Sequence, residues 1–195
     1  MYAVYLTHPQ VGIDPAKPVP DWSLSGKGRA RIEAVCDAPW IAGIGRIVSS
    51  AEAKARETAV ILGAAAGVPV EIVDAMGEND RAATGFLPPT EFEAAADRFF
   101  AAPDLSFRGW ERAVDAQARI VAAVGKVLDT HDPSVPLLFV GHGAVGTLLK
   151  CRLGGRVIAR GEDQPPGGGN LFAFDLVSRR LLCDWTTVEE WQGLL

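Results

Sequence analysis

The chain is poor in the residues that make cross-links and metal cages. Its 195 residues include only three cysteines (Cys36, Cys151 and Cys183) and three histidines. The cysteines are odd in number, far apart and without a CxxC pair. That argues against a disulfide framework or a thiolate zinc site, and it fits a reducing compartment. The histidines lack ligand spacing, so neither a metal nor another cofactor is expected. Long apolar runs are also missing: Tyr2–Leu6 is too short for a signal peptide or a membrane span. The expectation is a soluble, cytoplasmic chain. Positive charge is scarce, with 19 Lys and Arg against 24 Asp and Glu, a net charge of −5 and no basic stretch to track a nucleic-acid backbone. No Gly-x-Ser-x-Gly elbow is present, which disfavours a serine hydrolase. The triple glycine Gly167-Gly168-Gly169 has no Gly-Lys-Ser/Thr after it, which argues against a nucleotide P-loop.

What is present suits a packed α/β domain over 1–195. Apolar residues make up 48% and charged residues 22%, enough to bury a core and too ordered a balance for wholesale disorder. Apolar runs at 2–6, 44–48, 68–73 and 137–140 read as strands, and 171–175 with 180–185 as a final strand pair joined by a short turn. Between them the pattern predicts helices over 26–38 (Ser25 as N-cap), 51–66 (capped by Ser49-Ser50), 91–100 (capped by Thr90), 109–130 and 143–153. Strands alternating with helices predict a mostly parallel central sheet with helices on both faces. The polar segment 74–110 is expected to form a lid. Its Phe86, Leu87, Phe92, Phe107 and Trp110 suit either an apolar rim or core, with core favoured for Phe92 and Trp110.

Two of the three histidines follow strands. His8 comes after the first, in Thr7-His8-Pro9, and His142 after the fourth, in Gly141-His142-Gly143. Carboxyl ends of parallel strands are where open α/β sheets bind ligands. Ser49-Ser50 ends the second strand, Lys54 follows in the next helix, and Glu78 lies in the loop after the third. Two imidazoles, a cation, hydroxyls and a carboxylate form the set that phosphoryl transfer through histidine needs. A neutral imidazole attacks phosphorus, donors stabilise the equatorial oxygens, and a carboxylic acid protonates the leaving oxygen. Asp80 and Glu91 rival Glu78 for that last role. His131, in Asp-Thr-His-Asp-Pro, reads as a surface turn.

In order along the chain, these motifs resemble those of the histidine phosphatase superfamily, the phosphoglycerate mutase-like fold. Thr7-His8-Pro9 stands where the family has Arg-His-Gly. Leu24–Arg31 loosely matches its second motif, and Ser49-Ser50-Ala51-Glu52-Ala53-Lys54-Ala55-Arg56-Glu57-Thr58-Ala59 matches its third with lysine for arginine. Met76-Gly77-Glu78 resembles the acidic loop, and Gly-His-Gly is intact at 141–143. The resemblance implies His8 as the nucleophile that becomes phosphohistidine, His142 as a donor to the phosphoryl oxygens and Glu78 as general acid. It implies a phosphate pocket around Lys54 and Thr7, and a small phosphorylated substrate.

Both motif arginines are absent. Lysine offers a point charge where arginine offers a planar fork, and threonine offers one neutral hydroxyl. Arg81 is the favoured compensating cation; Arg160 and Lys17 are further candidates, and Arg56 points away around the helix. With fewer cations nearby, the His8 imidazole is expected to be less depressed in pKa, leaving less of its neutral form at mildly acidic pH. Three functions fit this sequence: a phosphomonoesterase, a mutase that returns the phosphoryl group, and a weakly active or non-catalytic phosphate-ester-binding protein on a degenerate scaffold.

Overall fold

The computed structural model describes residues 1–194; Leu195 lies outside the described residues. Six strands form one sheet: β1 (Tyr2–Thr7), β2 (Arg46–Ser49), β3 (Val70–Ile72), β4 (Leu137–Gly141), β5 (Asn170–Asp175) and β6 (Leu181–Thr187). Their order is β3-β2-β4-β1-β5-β6. The first four run parallel; β5 and β6 add antiparallel at one end. The helices are α1 (Gly26–Glu33), α2 (Pro39–Ala42), α3 (Ala53–Ala66), α4 (Pro89–Ala101), α5 (Ala113–Leu128) and α6 (Gly143–Gly154). No helix among the described residues is long and apolar enough to cross a membrane.

The apolar runs are continuous because both sheet faces are covered. Along β1, Ala3 and Tyr5 pack with α5 and α6, while Val4 and Leu6 pack with α1, α2 and α3. Strand β4 divides the same way, Leu137 and Phe139 against Leu138 and Val140. The mostly parallel sheet covered on both faces is therefore as the sequence predicts.

Several boundaries differ from expectation for identifiable reasons. Ser25 does cap α1, accepting from Gly28 N at 3.0 Å. The helix after β2 starts at Ala53 with Glu52 at the N-cap, not at Ser49-Ser50, because Ser49 belongs to the strand. Pro89 begins α4, where a missing N–H costs nothing, and Thr90 makes no cap. The fifth helix begins at Ala113 rather than 109, since Arg108 (φ 53°) and Gly109 (φ 80°) turn the chain left-handed just before it.

Candidate active site

Because β2, β4 and β1 are adjacent and parallel, their carboxyl ends deliver Ser50, His142 and His8 to one place. The register keeps them level: Thr7 pairs with Gly141, and Ser49 with Val140. The ladder continues one step beyond, with His8 N donating to Gly141 O and Ser50 N to Val140 O, each at 3.0 Å. The two imidazoles end 5.2 Å apart between ring centroids, at 71° to each other.

The glycines around His142 have a steric reason. A Cβ on Gly141 would overlap the Tyr5 hydroxyl, and one on Gly143 would overlap the Gln164 carboxamide. Tyr5 Oη in turn accepts from His142 N at 3.2 Å. The triple glycine is also structural. All three residues have positive φ, Gly169 N donates to His8 O at 3.2 Å, and a Cβ on Gly168 would overlap that same carbonyl.

His8 Nδ1 lies 2.9 Å from Pro9 O, so Nδ1 carries the proton and Nε2 keeps its lone pair. Burial lowers its pKa to about 4, assisted by Lys54 and Arg81 and opposed by the Pro9 carbonyl and Glu52. The expectation that the neutral form is scarce at mildly acidic pH is thus corrected: burial supplies the depression. His142 is fully buried. Its Nε2 meets Ser50 Oγ at 2.8 Å, and its Nδ1 has no partner among the described residues. Burial holds its pKa well below the usual histidine value.

Glu78 accepts from Ala144 N at 3.2 Å and Val145 N at 3.1 Å, at the amino end of α6 directly after His142. Burial raises its pKa despite the Arg81 charge, which favours the protonated acid. Its rivals lie elsewhere: Asp80 is exposed with an oxygen on Ala82 N, and Glu91 is exposed beside Arg108. His8, Glu78 and Arg81 line one cavity of about 380 Å³ with Phe92, Trp110 and Gln164. Phe92 and Trp110 are packed against the core and also form that wall.

The three phosphate-pocket candidates fare differently. Arg81 lines the cavity, its guanidinium 5.0 Å from the Phe92 ring and 5.6 Å from that of Trp110. Among the described residues it pairs with no carboxylate. Lys54 is 3% exposed, and its ammonium is spent on Glu52 and on Val19 O at 2.9 Å. Thr7 is fully buried and donates to Gln164 Oε1 at 2.7 Å, so its hydroxyl does not face the cavity. The expectation that Lys54 and Thr7 line the phosphate pocket is corrected on those grounds. Arg160 reaches the cavity wall but is held by Glu93, Asp97 and Asp163. Lys17 pairs with Asp14 at the surface, and His131 closes a turn on Val135 O at 2.7 Å, as its sequence context suggests.

Four residues escaped the sequence reading. Glu52 lies 3.5 Å from His142 Nε2 and accepts from Glu78 N at 2.9 Å. Burial pushes its carboxyl up, but the Lys54 ammonium and the Glu78 amide hold it well below the usual carboxylate range. Arg119 donates to the carbonyls of Ala75, Gly77 and Glu78, clamping the Glu78 loop. Asn79 is 4% exposed with Nδ2 unpartnered among the described residues, and Gln164 lines the cavity. Of these, only Glu52 stood inside a recognised motif; its signal was a carboxylate two residues before the motif cation.

The solved structures similar to this chain share its architecture. A mycobacterial glucosyl-3-phosphoglycerate phosphatase complexed with inorganic phosphate is 22% identical over 97% of this chain and 99% of its own, with a TM-score of 0.79. Bacillus stearothermophilus YhfR is 22% identical over 92% of this chain and 93% of its own, with a TM-score of 0.75. At such identity the likeness is one of fold. No curated protein matches in sequence. The model of the histidine phosphatase superfamily (branch 1) matches residues 14–173, most of the chain. The protein belongs to branch 1 of the histidine phosphatase superfamily, a family of phosphatase enzymes.

Proposed function

We propose that the protein hydrolyses small phosphomonoesters through a phosphohistidine on His8. The observation that carries this reading is the tautomer of His8. Its Nδ1–H is tied to Pro9 O, and burial keeps the ring neutral, so Nε2 presents a lone pair to the cavity that Glu78 also lines. The Nε2 lone pair forms the N–P bond as the ester P–O bond breaks. Glu78, protonated, gives its proton to the leaving oxygen. Water then attacks phosphorus, its proton passes to Glu78, and the N–P bond breaks to release phosphate and neutral His8. His142 Nδ1, buried and unpartnered, supplies a donor to the phosphoryl oxygens in the tautomer that leaves Nε2 accepting from Ser50 Oγ. Arg81 is the cation that lines this cavity without a carboxylate partner among the described residues, and α4 with its flanking loops forms the lid wall.

A second reading, a phosphate-ester-binding protein without turnover, is favoured by the Lys54–Glu52 pair, which cancels the remaining motif cation. Aryl phosphate turnover separates the two. Hydrolysis with acid-labile phosphate on the wild type and none on His8→Ala supports the enzyme. A folded wild type with neither turnover nor label supports the binding protein. Glucosyl-3-phosphoglycerate, the substrate named for the mycobacterial neighbour, is a natural second compound to assay.

A further inference from the structure

Gln164 belongs to no motif. It sits on the strap between α6 and β5, and its Oε1 accepts from Thr7 Oγ1 at 2.7 Å and from Asn170 Nδ2 at 3.1 Å. The Asn170 carboxamide is itself oriented, because the same Nδ2 donates to Pro165 O at 2.8 Å. With Oε1 engaged on that side, the Gln164 Nε2 donors must lie on the other. There they face Gly143, whose missing side chain leaves them room, in the cavity lined by His8 and Glu78. No protein acceptor meets Nε2 among the described residues. The strap is fixed from below: Thr147 Oγ1 donates to Asp163 Oδ1 at 2.8 Å, the same oxygen accepts from Gln164 N, and Trp185 Nε1 donates to Glu162 O at 3.0 Å.

We propose that Gln164 is a phosphoryl-binding residue, donating from Nε2 to an oxygen of the group transferred to His8, and that Thr7 is the positioning residue that aims it. The proposal rests on the phosphatase reading of the site. An arginine at position 7 would reach a phosphate with its own fork; threonine is too short. The chain instead spends the Thr7 hydroxyl on orienting a neutral donor delivered from a segment 157 positions away. A donor pre-set by such a network costs no reorganisation when charge develops on the phosphoryl oxygens.

The test is a double-mutant cycle with Gln164→Met and Thr7→Val, read by aryl phosphate turnover, by calorimetric binding of inorganic phosphate and by thermal melting. Gln164→Met lowers kcat by about 10²–10³, the usual loss for one preorganised donor, and weakens phosphate binding. Thr7→Val shifts both in the same direction by less, and the double variant is no worse than Gln164→Met, because the aiming residue has nothing left to aim. Fully additive losses, or a folded Gln164→Met that turns over and binds phosphate like wild type, overturn the proposal. Should Gln164→Met fail to fold, Gln164→Glu decides: it keeps the Oε1 acceptor and puts a carboxylate oxygen where the donors were. Phosphate binding abolished in folded Gln164→Glu supports the assignment, and binding retained overturns it. A wild type that binds phosphate through Gln164 without turnover sinks the phosphatase reading and leaves the donor in place. Turnover unaffected by Gln164→Met does the reverse.

Discussion

Replacing Glu52 by glutamine should make the protein less stable and its site more anion-friendly at once. Glu52 and Lys54 have side chains 14% and 4% exposed, so the pair sits largely out of water. Glutamine keeps an Oε1 acceptor for Glu78 N, removes the charge and puts an NH2 group where Oε2 accepts from Lys54. A buried cation deprived of its partner typically costs about 3–5 kcal/mol. In a chain of this size each kcal/mol moves Tm by roughly 2–4 °C. Melting should therefore fall by about 6–20 °C at neutral pH. Meanwhile the site loses a negative charge. The carboxylate lies 3.5 Å from His142 Nε2, and in the proposed mechanism the phosphoryl group lies on the Nδ1 side. At about 7 Å and an effective dielectric near 20, one charge pair is worth about 2 kcal/mol before screening. Calorimetry should show inorganic phosphate binding about tenfold tighter. Adding Lys54→Met should recover most of the lost stability, since a buried pair replaced by apolar volume is often neutral, and should reverse the gain in phosphate binding. A Glu52→Gln protein that melts with the wild type and binds phosphate no tighter would refute the view that this pair silences the motif cation.

Four further outcomes follow from the same geometry. With His8 neutral down to about pH 4 and Glu78 needing its raised pKa to hold a proton, kcat/KM should hold through mildly acidic pH. It should fall below about 4 as His8 protonates and fall again as pH rises past the Glu78 pKa; Glu78→Gln should remove the upper limb from a pH–rate profile. The folded pKa of His8 lies below its unfolded value of 6.5, so its contribution to stability is present above that value and is lost as pH falls towards 4, about 3 kcal/mol, measurable by denaturant titration across that window. Arg119→Met should lower kcat more than it changes KM, because three carbonyls of the Glu78 loop lose their donor, and Arg119→Lys should restore part of it. Gly141→Ala should cost about 1–3 kcal/mol by overpacking against the Tyr5 hydroxyl, with Tyr5→Phe in the same chain relieving part of the loss.

The sheet, its helices and the two histidine turns were legible because both-face burial writes continuous apolar runs and because strand ends punctuate them with glycine, proline and histidine. Glu78 was legible from its place after the third strand. The cations were not. Whether Lys54 faces a phosphate or a carboxylate depends on Glu52 folding back two residues, and on Val19 O arriving from 35 residues upstream. No local pattern encodes that. Thr7 reads as an outward hydroxyl until Gln164 and Asn170 are brought over it. Arg119 lies on the polar part of an amphipathic helix, and only the path of the loop around Ala75 gives it work. The depression of His8 failed as an expectation for a related reason: charge can be counted along a chain, but burial is a property of the assembled cavity.

The backbone of His8 is bonded on both sides, by its own amide to Gly141 and by its carbonyl to Gly169. One partner lies 133 residues ahead and the other 161. The socket of His8 is therefore closed by segments synthesised long after it. A nascent chain halted before the glycine strap would carry His8, His142 and all four parallel strands, with the His8 carbonyl still lacking its Gly169 donor. Closure of that socket therefore waits for the strap.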